Sequence, residues 1–313
     1  MKALNIVFCG TPDFSVPALE MLHNHPSVNL CSVITMPDRP AGRGQKLQSP
    51  PVAQFAKDHK IPLIQTENIN RESEQLEKLS TMKIDAFVVL AFAQFLGSKL
   101  LELPKLGCFN IHTSLLPSYR GAAPIQYALL NGDKETGVSI QRMVKQMDAG
   151  DLVLSHPINV DHNETGGQLY TRLKFQAALS LNDFITNLLE GSVTYTPQDH
   201  DKATFAPTLK KEDGYLKFSE STCESIHNQV RALIPWPGTW CKLNDKRLKV
   251  FKVEKSLKEI ACGTTNTDDG NLLIGCSNGT LRLIDVQLEG KKRCSDSSLL
   301  NGLRNSTSEF TIS

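Results

Sequence analysis

Asn110, His112 and Asp148 are the residues whose types and spacing could do chemistry in this chain. Asn110 and His112 stand two residues apart at the end of the apolar run GCFNI, which reads as a strand, so their side chains point to the same side of a sheet. An amide there can donate to a carbonyl oxygen as it becomes an oxyanion, and an imidazole can handle a proton. Asp148 lies in QMDAGD, a glycine-bounded turn that can bring a carboxylate to the imidazole and fix its tautomer. With no Ser or Cys nucleophile set beside it, the trio points to group transfer onto an amine brought by the substrate. Attack on a one-carbon acyl donor suits it: the tetrahedral intermediate needs its oxyanion held and a proton moved from the attacking nitrogen to the leaving one. Residue types alone leave a plainer reading equally open, in which Asn110 ends a strand, His112 is a satisfied turn residue and Asp148 is a turn former.

The elements needed to position such a trio alternate along the first half of the chain. ALNIVFC, VNLCSVIT, DAFVVLA, GCFNI and GVSIQRMV read as strands; VPALEMLHNH, VAQFAKDHK, ESEQLEKLSTM and AAPIQYALL read as helices between them. Nearly continuous apolar strands separated by helices indicate a mostly parallel, Rossmann-like α/β sheet with helices on both faces. Ligands of such sheets gather at the C-terminal strand ends, where Gly10-Thr11-Pro12, Ala91 to Leu96 and Asn110 to His112 all fall. A long helix is expected over Gly166 to Leu189. From about Glu190 the chain turns polar, with Pro and Gly, and then becomes short strands with turns at Asn244-Asp245, Asp269-Gly270 and Asn278-Gly279. That pattern suggests a small, OB-like β-barrel domain. The expected division is a catalytic domain over 1–189, a linker over 190–208 and a β-barrel domain over 209–313.

Composition bounds the function classes. With 40% hydrophobic and 21% charged residues, the 313-residue chain is that of a globular protein. Its net charge of +1 covers an asymmetry, because the part from Leu209 onward carries 16 Lys/Arg against 13 Asp/Glu. Eight scattered cysteines, none in CxxC, fit buried reduced thiols better than a disulfide framework or zinc site. No run is long and apolar enough for a signal segment or a membrane span, so the expected location is the cytoplasm.

The run NIHTSLLPSYRGAAPIQ, followed by NGDKETGVSIQRMVKQMDAGDLV, closely resembles the tetrahydrofolate-dependent formyltransferase family. FCGTPDFSVPAL (8–19), TMPDRPAGRGQKLQSPPV (35–52), IPWPGTW (234–240) and LEGKKRCSDSSLLNG resemble the members that act on charged initiator tRNA. The likeness runs in order from residue 3 to about 304. It implies transfer of formyl from N10 of 10-formyltetrahydrofolate to the α-amino group of methionine on initiator tRNA, with Asn110, His112 and Asp148 as catalytic residues. The folate is a co-substrate, and no metal, bound cofactor or membrane partner is implied. Ser114, Leu115, Leu116 and Pro117 match the folate-contacting turn of the family. Phe92, Gln94 and Leu96 lie where its pterin-binding loop lies, and Gln94 departs from the usual small residue there.

Two basic segments complete the expectations. TMPDRPAGRGQKLQSPP, with Arg39, Arg43 and Lys46, reads on composition as an ordinary long, polar, mobile loop; the resemblance makes it an arm that enters the tRNA acceptor stem. Lys246, Arg247 and Lys249 crowd a hairpin that is either an edge guarded by lysines or, as the resemblance implies, a tRNA platform. GTPDF lacks the GxGxxG of a dinucleotide site, and is expected to line a pocket for the methionyl-adenosine end. A formyltransferase for a small amine would not need the arm or the barrel. A non-catalytic tRNA binder would be expected to have lost one of the trio. With no coiled coil in view, a monomer is the default.

Overall fold

The computed structural model describes residues 3–42, 44–303 and 311–312. In chain order its elements begin β1 (Leu4–Gly10), α1 (Val16–Asn24), β2 (Val28–Thr35), β3 (Arg39–Ala41), β4 (Lys46–Gln48), α2 (Pro51–Asp58), β5 (Leu63–Gln65), α3 (Ser73–Thr81), β6 (Ala86–Leu90), α4 (Ser98–Leu101) and β7 (Gly107–His112). They continue β8 (Arg120–Gly121), α5 (Pro124–Leu130), β9 (Glu135–Arg142), β10 (Leu152–Asn159), α6 (Gly166–Glu190), β11 (Phe205–Ala206) and α7 (Cys223–Ala232). The last are β12 (Thr239–Leu243), β13 (Lys246–Ser256), β14 (Thr265–Asn266), β15 (Leu273–Cys276), β16 (Gly279–Leu288), β17 (Cys294–Ser295) and α8 (Asp296–Leu303), with short 3-10 turns between. Among the described residues, no helix is long and apolar enough to cross a membrane.

The chain packs as two units, one of 1–124, 136–159 and 170–206, the other of 125–135, 160–169 and 207–313. The first is built on a seven-stranded sheet in the order β10-β9-β7-β6-β1-β2-β5. β1 pairs parallel with β2 and β6, β6 with β7, and β2 with β5, whereas β9 runs antiparallel to β7. The sheet is therefore mostly parallel. Alternate residues of β1 and β6 face opposite ways: Val7, Cys9, Phe87 and Val89 join Ile69, Leu79 and Leu100 in one core layer. On α6, Leu173, Ala177, Leu181 and Phe184 form one buried stripe at helical spacing, with Phe184 4.6 Å from the Phe109 ring of β7.

The second unit holds an antiparallel sheet in the order β12-β13-β16-β15-β14, with β17 beside β16. Register shifts on either side of Lys252 bend β13, as bulges do, and the sheet curls into a half-barrel. Leu248, Val250 and Val253 point inward and meet Ile226 and Val230 of α7 in a single core. The two edges of the sheet are bridged by the segment at Ile312, which pairs with Leu243 of β12 and donates its N–H to Thr265 of β14.

Candidate active site

The register between β7 and β9 assembles the site. Asn110 is directly opposite Gln141, and His112 opposite Ser139, so each pair shares a face of the sheet. Past β9 the chain turns back to β10, and Asp148 sits in that turn with a φ of +51°, a region non-glycine residues seldom occupy. Gly150 makes the turn possible: a Cβ there would lie 1.7 Å from the carbonyl oxygen of Arg142. The Asp148 carboxylate is nearly buried. Its Oδ1 accepts from Asn110 Nδ2 (3.2 Å) and Gln141 Nε2 (2.9 Å), and its Oδ2 accepts from the backbone N–H of Gly121 (2.9 Å).

His112 is also buried, and its Nδ1 stands 3.8 Å from Asp148 Oδ2. Its Nε2 is 2.8 Å from the carbonyl oxygen of Tyr119. A carbonyl can only accept, so Nε2 carries a proton, and Nδ1 is the ring nitrogen turned toward the carboxylate. The tautomer is thus set by Tyr119, whereas the sequence pointed to Asp148: the carboxylate lies beyond hydrogen-bond reach, and the backbone oxygen lies within it. Cys108, two residues before Asn110, is buried, and burial pushes its thiol up to about 12, so it stands there as a neutral thiol.

The Ser114–Pro117 turn leaves the end of β7 next to His112. Ser114 Oγ donates to Ser118 O (2.5 Å), while Ser139 Oγ donates to Ser114 O (2.8 Å) and accepts from Leu116 N (3.1 Å). Ser114 and Leu116 are buried, and Leu115 is half-buried. The loop over residues 91–97 follows β6. Phe92 is half-buried against the core and Leu96 is part of it. Gln94 Oε1 accepts from Ile69 N (2.8 Å), and its Nε2 donates to Thr66 O (2.7 Å) and Met36 S (3.2 Å). Asn70 adds a second tie, accepting from Gly97 N and donating to Phe95 O. Gln94 is thus a staple between two loops.

Sequence reading missed Ser139, Gln141, Gln198 and Tyr119. The signal for the first two was present, since Ser139 and Gln141 alternate with Val138 and Ile140 on a strand where both prove almost fully buried. Nothing local marked Gln198. Within the segment expected as a linker, Thr196 pairs with Leu152, β11 pairs with β8, and Gln198 reaches into the turn that bears Asp148.

Residues 1–184 match the family model described as Formyl transferase, and residues 208–304 match Formyl transferase, C-terminal domain. A methionyl-tRNA formyltransferase of Geobacter metallireducens is 40% identical over 309 residues, covering 97% of this chain and 97% of its own. That of Bacillus subtilis is 39% identical over 305 residues, covering 95% and 94%. The chain belongs to the methionyl-tRNA formyltransferase family. Among solved structures, the sugar 3N-formyl transferase WlaRD superposes with a TM-score of 0.67 at 20% identity, covering 93% of this chain and all of its own. HypX from Aquifex aeolicus, in complex with tetrahydrofolic acid, gives 0.60 at 13% identity, covering 98% of this chain and 50% of its own. These two likenesses speak for the fold alone.

The basic segments take definite shapes. Arg39 and Lys46 lie on the antiparallel β3–β4 hairpin, where the sequence suggested an open loop; Arg43 lies outside the described residues. The hairpin base is tied down by Asp38, which accepts from Gln65 (2.6 Å), Ser49 (2.9 Å) and Lys57 (3.3 Å); the bonds from Gln65 and Ser49 hold its carboxyl below the usual range. Arg39 pairs with Glu67 at 3.3 Å, both exposed. In the second unit, Lys246, Arg247 and Lys249 are exposed on β13, beside the inward-facing Leu248 and Val250. Arg247 stacks 4.1 Å over the Trp240 ring and, with Lys249, Gln287, Leu288, Glu289 and Gly290, lines a cleft of about 230 Å³. Among the described residues, no group of three or more His, Cys, Asp or Glu could hold a metal ion.

Proposed function

We propose that this protein transfers the formyl group of 10-formyltetrahydrofolate to the α-amino group of methionyl initiator tRNA, giving N-formylmethionyl-tRNA and tetrahydrofolate. The observation that carries this reading is the convergence of Asn110 and His112, at the end of β7, on the Asp148 carboxylate, in a chain about 40% identical from end to end to methionyl-tRNA formyltransferases.

The geometry divides the chemistry as follows. The methionyl nitrogen attacks the formyl carbon, a C–N bond forms, and the carbonyl oxygen becomes an oxyanion. Asn110 Nδ2 carries two hydrogens; one goes to Asp148, and the other is the donor to that oxygen. Nδ1 of His112, 3.8 Å from Asp148, takes the proton from the attacking nitrogen, and the adjacent carboxylate stabilises the imidazolium that results. The proton is then delivered to N10 as the N10–C bond breaks, and tetrahydrofolate leaves.

The supporting roles belong to the same proposal. Ser114, Leu115, Leu116 and Pro117, with Phe92, Gln94 and Leu96, form the folate side, Gln94 acting through the loop it staples. Arg39, Arg43 and Lys46 on the arm, with Lys246, Arg247 and Lys249 on the half-barrel, neutralise tRNA phosphates. Catalysis is assigned to residues 1–189 and tRNA binding to 209–313, joined by 190–208, in a monomer working in the cytoplasm. The test offers the purified protein 10-formyltetrahydrofolate with methionyl initiator tRNA, free methionine or an amino-sugar nucleotide. Formyl is expected on the charged tRNA, and transfer to the sugar amine alone would refute the reading.

A further inference from the structure

The turn that carries Asp148 is held by a residue fifty positions away. Nε2 of Gln198 donates to the carbonyl oxygens of Asp148 (2.9 Å) and Gly150 (2.7 Å), and lies 3.3 Å from Oε1 of Gln141. Oε1 of Gln198 accepts from Arg120, from Nε at 3.2 Å and Nη2 at 2.7 Å. A guanidinium has only donors, so Arg120 settles which end of the Gln198 amide is oxygen and turns its N–H groups toward the Asp148 turn. Gln141 completes the circuit: its Oε1 accepts from Gly150 N (3.2 Å) while its Nε2 donates to Asp148 Oδ1 (2.9 Å). Arg120, Gln141 and Gln198 are all at least 94% buried.

Asp148 needs such a frame. Its φ of +51° is unfavourable for a residue with a Cβ, and its carboxylate must meet Asn110 on one side and His112 on the other. We propose that Gln198, relayed by Gln141 and oriented by Arg120, is the positioning residue for the Asp148 carboxylate in formyl transfer, an inference that rests on the catalytic role assigned to Asp148 above. Gln198 is buried behind the turn, so it acts on the reaction through Asp148 and on neither substrate directly. Without its N–H groups the turn loses the bonds at two carbonyls, and the carboxylate drifts from Asn110 and His112. A misplacement of about 1 Å is enough to cost on the order of 100-fold in rate.

The test uses the full-length protein under single-turnover conditions, with 10-formyltetrahydrofolate and methionyl-tRNA, and follows thermal unfolding in parallel. Wild type, Gln198→Leu, Asp148→Asn and the double variant form one cycle. Gln198→Leu is expected to lower the transfer rate about 100-fold with KM for both substrates changed less than about threefold. On the Asp148→Asn background the same change is expected to cost less than about threefold, because the group it acts through is already lost. A Gln198→Leu rate close to wild type, or a full 100-fold loss repeated on the Asp148→Asn background, would overturn the proposal. Gln141→Leu, which cuts the link to Oδ1 and leaves both carbonyl bonds of Gln198, runs as a second cycle should Gln198→Leu not fold; losses that simply add to those of Asp148→Asn would overturn it equally. A wild type that transfers no formyl to methionyl-tRNA defeats the functional reading itself, a result distinct from an active wild type with unaffected Gln198 and Gln141 variants.

Discussion

The Asp148 carboxylate faces Nδ1 of His112 across 3.8 Å, while the other ring nitrogen is held 2.8 Å from the carbonyl of Tyr119. The imidazole is therefore anchored by its backbone partner, and its other ring nitrogen is turned toward a nearly buried carboxylate. In the proposed reaction this places a proton acceptor and a negative charge together, with the Asn110 amide alongside for the oxyanion.

Removing the oxyanion donor tests that division. Asn110→Ala is expected to raise the barrier by about 2.7–4 kcal/mol, seen as a 10²–10³-fold fall in kcat. His112→Ala should be comparably damaging, and the double variant should lose much less than the product of the two, since the groups act as a unit. Single-turnover rates of formyl transfer measure all three. Multiplicative losses would mean that the residues work independently.

The Asp148 turn admits no side chain at Gly150, where a Cβ would meet the Arg142 carbonyl oxygen at 1.7 Å. Gly150→Ala is expected to displace the turn and abolish measurable transfer while folate affinity, assigned above to other loops, stays within about threefold. Folate titration beside the transfer assay checks this, and retained activity would show that the turn need not keep its shape.

Gln94 bridges the 91–97 loop to Thr66 and Ile69 through both ends of its amide. Gln94→Ala should loosen the loop and raise KM for 10-formyltetrahydrofolate about tenfold, the worth of one net hydrogen bond of about 1.4 kcal/mol, with KM for tRNA unchanged. Initial-rate kinetics with each substrate varied in turn separates the two. A rise in the tRNA term alone would remove Gln94 from the folate side.

Arg247 and Lys249 line one cleft on the half-barrel. Lys249→Ala should weaken tRNA binding at low salt and reduce the slope of log affinity against log salt by about 1. Binding isotherms over a salt series read that slope. An unchanged slope would leave Lys249 as a solvated strand residue.

Asp296 is fully buried in the second unit and accepts from Leu272 N, Ser297 N and, at 2.8 and 3.0 Å, the Arg282 guanidinium. Burial alone would raise its carboxyl, but the Arg282 and backbone hydrogen bonds outweigh it and hold the group below the usual carboxylate range. A carboxyl lowered in the folded state stabilises above its unfolded value of about 3.9, and that contribution is lost as pH falls through the folded value. Asp296→Asn is expected to destabilise the chain by about 1–3 kcal/mol at pH 7, with the gap to wild type closing toward pH 3. Urea unfolding across that range measures it, and a gap independent of pH would mean that the charge contributes nothing.

The parts of the fold that could be read from the sequence are those where local pattern and burial agree. β1, β6 and β7 are nearly continuous apolar runs because both of their faces are covered, as are those of the second half of β2, and α6 shows its buried stripe directly. β10 escaped because LVLSHPIN mixes Ser, His and Pro; it is an edge strand, where a missing N–H and half-exposed side chains are tolerated. At the site, Asn110 and His112 were visible as a two-residue period at a strand end. Gln198 and Tyr119 were not, because what makes them matter is a tertiary contact in one case and a backbone carbonyl in the other. The hydrogen bonds of Gln94 to Thr66 and Ile69 are likewise tertiary contacts that no local pattern marks.

The central claim is that formyl passes to methionyl-tRNA at the Asn110–His112–Asp148 centre. Its most direct measurement is the single-turnover rate at which wild type and Asp148→Asn form N-formylmethionyl-tRNA, with both substrates saturating. The account predicts rapid transfer by wild type and a rate lower by at least about 100-fold in the variant, with tRNA and folate still bound. Equal rates for the two proteins would contradict it.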